Sequence, residues 1–379
     1  MNKKEIFLIF LLLLFIFLFF LNKNNKIFNN KKKKLFSSTS VNVSNFLKNK
    51  KITPKEIKKS TFFVEWMLNQ EIDVNQLDSY CPIIYFGSEA GIALFKEKIA
   101  SFSTCKKFLL TKKTDDVYPS DSWQKEIERL IKLVKENEFQ GVVLDLEIRG
   151  LGNQKKVDAI TQMVRMISES FKEENLYLAV ALYGDTFYRK RPFNVKEISN
   201  YADEVMVMAY DFSKSYGEPG PNFPFSGKDI YGYDFQLMVD DFLTSVEKEK
   251  LTVIFGMFGY DWQVDEKKRP FSQAKALTLK QIKEKFLNEN DQENEEDIKV
   301  KRSIQINCFL ENCLGQRDDK AKEVEINYTL SNDTPDEEGI YRIDYHILWF
   351  EDEESVGVKR EFLKKKGISA ISFWAAGYF

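Results

Sequence analysis

From residue 60 onward the chain alternates short apolar runs with longer segments in which apolar and polar positions interleave. The short runs are 62–67 "FFVEWM", 82–87 "PIIYFG", 107–111 "KFLLT", 141–147 "GVVLDLE", 176–183 "LYLAVALY", 204–210 "EVMVMAY", 251–257 "LTVIFGM" and 368–374 "ISAISFW". They are rich in β-branched and aromatic residues and mostly continuous rather than alternating. Strands covered on both faces read this way. The longer segments carry a helical period. In 121–137, "DSWQKEIERLIKLVKEN", Asp121 or Ser122 can cap, and Trp123, Ile127, Leu130, Ile131 and Val134 form one apolar stripe. Segments 155–172, 232–248 and 353–366 read similarly.

Eight strands with interleaved helices over residues 59–379 predict an α/β fold, a (β/α)8 TIM barrel. A doubly wound open sheet is the competing arrangement, but no Gly-rich phosphate loop follows the first strand. Residues 264–345 are expected to form a small α+β insertion between strand 7 and the last helix. Within it, "AKALTLKQIKEKF" reads as a helix, "NENDQENEED" as a solvated acidic loop, and "EVEINYTL" with "GIYRIDYHILWF" as paired strands. Tyr328 and Tyr341 of this insertion are expected to pack rather than to contact a ligand.

The N-terminus breaks the pattern. Residues 6–21, "IFLIFLLLLFIFLFFL", are sixteen apolar residues without a charge, followed by no small-x-small cleavage site. Residues 1–22 are therefore expected to act as an uncleaved membrane anchor or signal segment, and the Lys/Asn/Ser-rich stretch 23–58 as a flexible tether. Lys3 and Lys4 flank one side of the apolar run, whereas Lys23, Lys26 and Lys31–Lys34 flank the other. The positive-inside rule alone would keep the body in the cytoplasm.

Composition narrows the function. Of 379 residues, 56 are Lys or Arg and 58 are Asp or Glu, for a net charge of −2, which argues against a nucleic-acid partner. The four cysteines show no C-x-x-C spacing and His346 is the single histidine, so no metal site of that kind and no cofactor are expected. Cys308 could pair with Cys313, and Cys81 with Cys105, or all could stay as buried thiols. A monomer is expected.

The sharpest chemical signal lies in "EFQGVVLDLEIRG", residues 138–150. Alternation along a strand puts Val143, Asp145 and Glu147 on one face and Val142, Leu144 and Leu146 on the other. If the second set packs under helices, the two acids point into the barrel near its C-terminal rim, where barrel active sites are built. Burying two unpaired carboxyls costs several kcal/mol. An ionised Asp145 should then raise the pKa of Glu147 and keep a proton available there.

The stretch F-x-G-V-x-L-D-L-E resembles the fourth-strand signature of glycoside hydrolase family 18, D-G-x-D-x-D-x-E, the chitinase-like barrels. Gln140 stands for the first Asp and Val143 for the second, while Asp145 and Glu147 remain. "VMVMAYDFS", with Met208, Tyr210 and Asp211, is similar to the family's M-x-Y-D, and "FGMFGYDW" to its seventh-strand region, with Phe258 replacing a proline. "EPGP", "WFED" at 349–352 and "GISAISFW" at 367–374 resemble a bacterial branch of spore-cortex-lytic germination hydrolases. The resemblance spans residues 62–379.

It implies cleavage of β-glycosidic bonds in an N-acetylhexosamine polysaccharide, chitin-like or peptidoglycan, by a retaining, substrate-assisted mechanism. Glu147 would be the acid/base, Asp145 would orient the acetamido group, and Tyr210 would bind the acetyl oxygen. Trp374 would floor the sugar, with Met208, Asp211, Tyr260 and Trp66 as further binding residues. Such polymers lie outside the cytoplasm, so the body is expected on the extracytoplasmic side of the membrane. Two other readings stay open. The losses at positions 140 and 143 allow a weakly active or inactive carbohydrate-binding barrel, and Asp145/Glu147, Asp185 and Asp211 near three strand ends could instead hold Mg²⁺.

Overall fold

The computed structural model describes residues 57–70, 72, 77–100, 104–117, 120–148, 150, 152–287, 305–306, 312–331 and 343–379. Eight parallel strands close into a barrel: β1 (Lys58–Val64), β2 (Ile83–Phe86), β3 (Phe108–Thr114), β4 (Gly141–Leu146), β5 (Tyr177–Tyr183), β6 (Glu204–Ala209), β7 (Leu251–Gly256) and β14 (Ala370–Trp374). Their order around the barrel follows the chain, and β14 closes between β7 and β1.

The continuous apolar runs have the expected cause, because both faces of each strand are buried. Phe62, Ile84, Leu109, Val143, Ala179, Met206 and Ile254 fill the barrel interior. Val142, Leu144 and Leu146 face outward into the layer shared with the helices. Helix Ser120–Glu136 buries Trp123, Ile127, Leu130 and Val134 in that layer, and helix Gln154–Glu173 buries Ile160, Met163, Val164, Ile167 and Phe171.

The insertion is an antiparallel sheet ordered β10–β11–β12–β13–β8–β9. Its strands are β8 (Phe258–Val264), β9 (Lys275–Thr278), β10 (Gln305–Ile306), β11 (Cys313–Arg317), β12 (Val324–Ser331) and β13 (Ile343–Phe350). The sheet thus begins at Phe258 and ends at Phe350, outside the expected bounds of 264–345. "FGYDWQV" looks like the tail of the seventh barrel strand, yet its backbone pairs with β13 and β9. The segment expected as one helix over "AKALTLKQIKEKF" divides at Thr278. Residues before it pair with β8, and Thr278 caps helix Leu279–Phe286 in a reciprocal arrangement with Gln281.

Tyr328 is buried and its hydroxyl donates to Asp261 Oδ2 at 2.6 Å, so it packs as expected. Tyr341 and Cys308 lie outside the described residues. Cys81 and Cys105 form a disulfide that closes β2 onto the loop before β3. Among the described residues no helix is long and apolar enough to cross a membrane. The anchor and tether expected over residues 1–22 and 23–58 lie almost wholly outside them.

One buried ionic cluster joins the inserted sheet to the barrel. Lys359, on helix Glu353–Lys366, has its ammonium 2.9 Å from Glu323 Oε1 and 2.5 Å from Glu351 Oε1, and all three side chains are fully buried. Burial opposes the charge on Lys359, but the two carboxyls outweigh it and raise its pKa. Burial pushes Glu351 up to about 8 against the opposing pull of Lys359. Removing the cation strands a buried carboxylate, the costly way to break such a cluster. Lys359→Met should therefore lose about 3 kcal/mol in a urea unfolding curve.

Candidate active site

A cavity of about 570 Å³ opens at the C-terminal end of the barrel. Asp145, Glu147, Met208, Tyr210, Asp211, Tyr260 and Trp374 all line it. Of the residues expected to act on or bind a sugar, Trp66 alone does not. It follows β1 on the rim, 51% exposed, and its indole N–H donates to the hydroxyl of Tyr378, a cavity residue, at 3.1 Å.

β4 delivers the acids as strand alternation requires. Asp145 is buried on the inner face, and its Oδ1 has no hydrogen-bond partner among the described residues. Burial, then the neighbouring Glu147, push its pKa up to about 7 against the opposing pull of Lys113. The sequence led to the expectation of a raised pKa at Glu147; in the structure the carboxyl that burial raises is Asp145. Asp145 lies within the strand, deep in the barrel, while Glu147 follows the strand's end, is one-quarter exposed, and has Lys113 Nζ 3.0 Å from Oε2.

β6 ends at Ala209, which releases the alternation that would have turned Asp211 away. Asp211 takes a left-handed backbone (φ 58°), a conformation Asp tolerates better than most residues, and its side chain turns into the cavity. Tyr260 donates to Asp211 Oδ1 at 2.7 Å, and Asn222 Oδ1 accepts from the Asp211 N–H at 2.8 Å. Asn222 is in turn fixed by Glu323 of the ionic cluster, which accepts from the N–H groups of Asn222 (2.6 Å) and Phe223 (2.8 Å). Its side-chain amide also donates to the carbonyls of Gly256 and Phe258.

The hydroxyl of Tyr210 stays protonated, because burial and then Asp145 and Asp211 raise its pKa well above the ordinary value. It is a hydrogen-bond donor at the cleft. Gly256 makes room for it: a Cβ there would sit 2.7 Å from Tyr210 Cβ and 2.6 Å from the Phe258 ring. Trp374 is half-buried at the end of β14, braced by Phe86 and Phe62 at centroid distances of 4.9 and 5.4 Å and tilted against Tyr210 at 6.3 Å.

The two altered motif positions fall in different places. Gln140 precedes β4 at the far end of the barrel, where its amide accepts from Phe108 N–H and donates to Glu138 O. Its replacement leaves the cleft untouched. Val143 packs among the interior apolar residues one layer beneath Asp145.

Asp185 does not converge with the other acids as a magnesium site would require. It is buried with Arg189 at 2.6 Å and Arg191 at 2.9 Å, which occupy both its oxygens. Among the described residues no group of three or more His, Cys, Asp or Glu is placed to hold a metal ion.

The sequence motifs did not reveal Lys113, Tyr183, Arg191 or Lys214. For Lys113 a signal existed: in "FLLTKKT" alternation places Leu109, Thr111 and Lys113 on the inner face, in register with β4. Arg191 and Lys214 sit on loops, where no period operates.

The sequence profile described as "Glycosyl hydrolases family 18" matches residues 103–378. The chain belongs to glycosyl hydrolase family 18. It is 22% identical over 259 residues to the uncharacterized glycosylase YvbX of Bacillus subtilis, covering 66% of this chain and 61% of that protein. The chain therefore spans about three-fifths of the length of this curated relative. Among solved structures it is similar to a family 18 N-acetylglucosaminidase from Paenibacillus barengoltzii, with TM-score 0.61 and 14% identity over 86% of this chain and 96% of that one. It is also similar to the spore cortex-lytic enzyme SleL of Bacillus megaterium, with TM-score 0.58 and 16% identity over 86% and 72%. At these identities the likeness to solved structures shows the barrel fold alone.

Proposed function

We propose that the protein is a glycosidase that hydrolyses β-linked N-acetylhexosamine polymers, chitin-like or peptidoglycan, with retention and with the substrate's own acetamido group as nucleophile. One observation carries the reading: a buried carboxyl with an unpartnered oxygen stands beside a quarter-exposed one on the same inward face of β4. In the empty cleft burial favours the proton on Asp145. A bound sugar would present its acetamido N–H to the free Asp145 oxygen, which stabilises the ionised form of Asp145 beside the acid Glu147.

Glu147 then protonates the glycosidic oxygen and later takes a proton from the incoming water. The acetyl oxygen, held by the Tyr210 hydroxyl, attacks the anomeric carbon, and ionised Asp145 balances the positive charge that develops. Trp374 supplies an apolar floor for the sugar ring. The test is to incubate the protein with N-acetylglucosamine oligomers and with peptidoglycan and to read products by mass. Shortened oligomers from the native chain, absent with Glu147→Gln, are expected. Intact substrate throughout, with sugar binding retained, would favour the carbohydrate-binding barrel.

We also propose that the body lies outside the cytoplasm, tethered through residues 6–21. Polymers of this class are extracytoplasmic, and the Cys81–Cys105 disulfide suits an oxidising compartment. Protease added to intact cells should digest the body, whereas protection until lysis would mean that it faces inward.

A further inference from the structure

The cleft wall built by the segments after β5 and β6 carries cations that the hydrolytic chemistry does not use. Arg191, at the exit of β5, stacks its guanidinium over the Tyr183 ring at 4.3 Å. Lys214 places its ammonium 5.6 Å from the centroid of the same ring. Both line the cavity. Arg189 and Arg191 share one carboxylate, Asp185, so that part of the wall holds two positive charges to one negative even before Lys214 is counted.

Lys214 itself has no carboxylate within ion-pair distance and no side-chain hydrogen bond among the described residues. Burial lowers its pKa, with Asp211 and Asp185 as the acids that act on it most. Asp211, the nearer part of the cleft lining, already accepts the Tyr260 hydroxyl. The loop is held in place: Lys214 O accepts from Gly217 N–H, Ser215 O from Ala274 N–H, and Gln273 donates to Ser215 Oγ. A half-desolvated ammonium on a fixed loop, without a counter-ion, gains most from an anion that the ligand brings.

Resting on the glycosidase reading above, we propose that Lys214 and Arg191 form a carboxylate-binding subsite in this cleft, so that the preferred N-acetylhexosamine glycan carries an acidic substituent. Neutral N-acetylglucosamine chains offer this wall only uncharged acceptors, hydroxyls and acetamido carbonyls. A carboxylate can reach such a chain in two ways, as a 3-O-lactyl ether on alternate sugars or as an alternating hexuronic acid, and the shared chemistry is what the wall reads.

Three tetrasaccharides distinguish these cases, titrated calorimetrically into the full chain carrying Glu147→Gln: the neutral N-acetylglucosamine oligomer, the alternating N-acetylmuramic acid oligomer and the alternating glucuronic acid oligomer. At least one acidic oligomer should bind about tenfold more tightly than the neutral one at low salt, and its identity names the source of the carboxylate. The preference should shrink at 0.5 M salt, collapse in Lys214→Gln and persist in Lys214→Arg. Equal or tighter binding of the neutral oligomer would overturn the subsite, as would a preference untouched by Lys214→Gln or no binding of any oligomer. Hydrolysis by the native protein is read in parallel. An acidic preference in binding with no oligomer cleaved would sink the glycosidase reading and uphold the subsite.

Discussion

Glu147→Gln should lower turnover of N-acetylhexosamine oligomers by about a thousandfold while leaving the melting temperature within a degree or two. Glutamine keeps the size and a hydrogen-bonding head but can neither give a proton to the leaving oxygen nor take one from water. The small effect on stability follows from the setting. Glu147 is one-quarter exposed and its only ion-pair partner among the described residues, Lys113, is nearly half-exposed, so the pair contributes little to folding. Removing the charge also relieves Asp145 of a like neighbour. Turnover near the native rate would place the acid elsewhere in the cleft.

Asp145→Asn should separate stability from activity with a pH dependence of known sign. The folded protein holds the Asp145 proton up to about pH 7, whereas the unfolded chain releases it near 3.8. Below the lower value both states are protonated and the group adds no pH dependence. Between the two values the unfolded state alone releases the proton, so native stability falls as pH rises. Above about 7 the full difference of about 4 kcal/mol is in place. Asparagine carries no such penalty, so the variant should be more stable than the native protein at pH 8 by up to that amount and little different at pH 4. Thermal melts at the two values check this. Its activity should nevertheless fall by about a hundredfold, because an amide cannot balance the charge developing on the acetamido group.

These residues were legible in the sequence to different degrees, and the differences have physical causes. The face of β4 followed from the two-residue period of any strand, and the continuous apolar runs from burial on both sides. The barrel needed no finer information. The edges of the inserted sheet were hidden because "FGYDWQV" is equally good as the end of a barrel strand, and only its pairing with β13 decides. The position of Asp211 was hidden because alternation stops where β6 stops, and a left-handed residue then re-aims the side chain. The raised carboxyl fell on Asp145 because pKa follows depth, and sequence spacing shows which acids share a face without showing which lies deeper. Asn222 and Glu323, which hold the Asp211 backbone, are 101 residues apart and leave no local signal.

The most direct measurement of the substrate-assisted scheme uses paired oligomers identical except for the acetamido group at the cleaved position, one N-acetylated and one deacetylated. Initial rates are recorded with the native protein, and the protein's mass is recorded during turnover. Cleavage of the acetylated oligomer alone, with no sugar covalently attached to the protein, is the expected result. Efficient cleavage of the deacetylated partner, or a sugar–protein adduct in the mass spectrum, would contradict it.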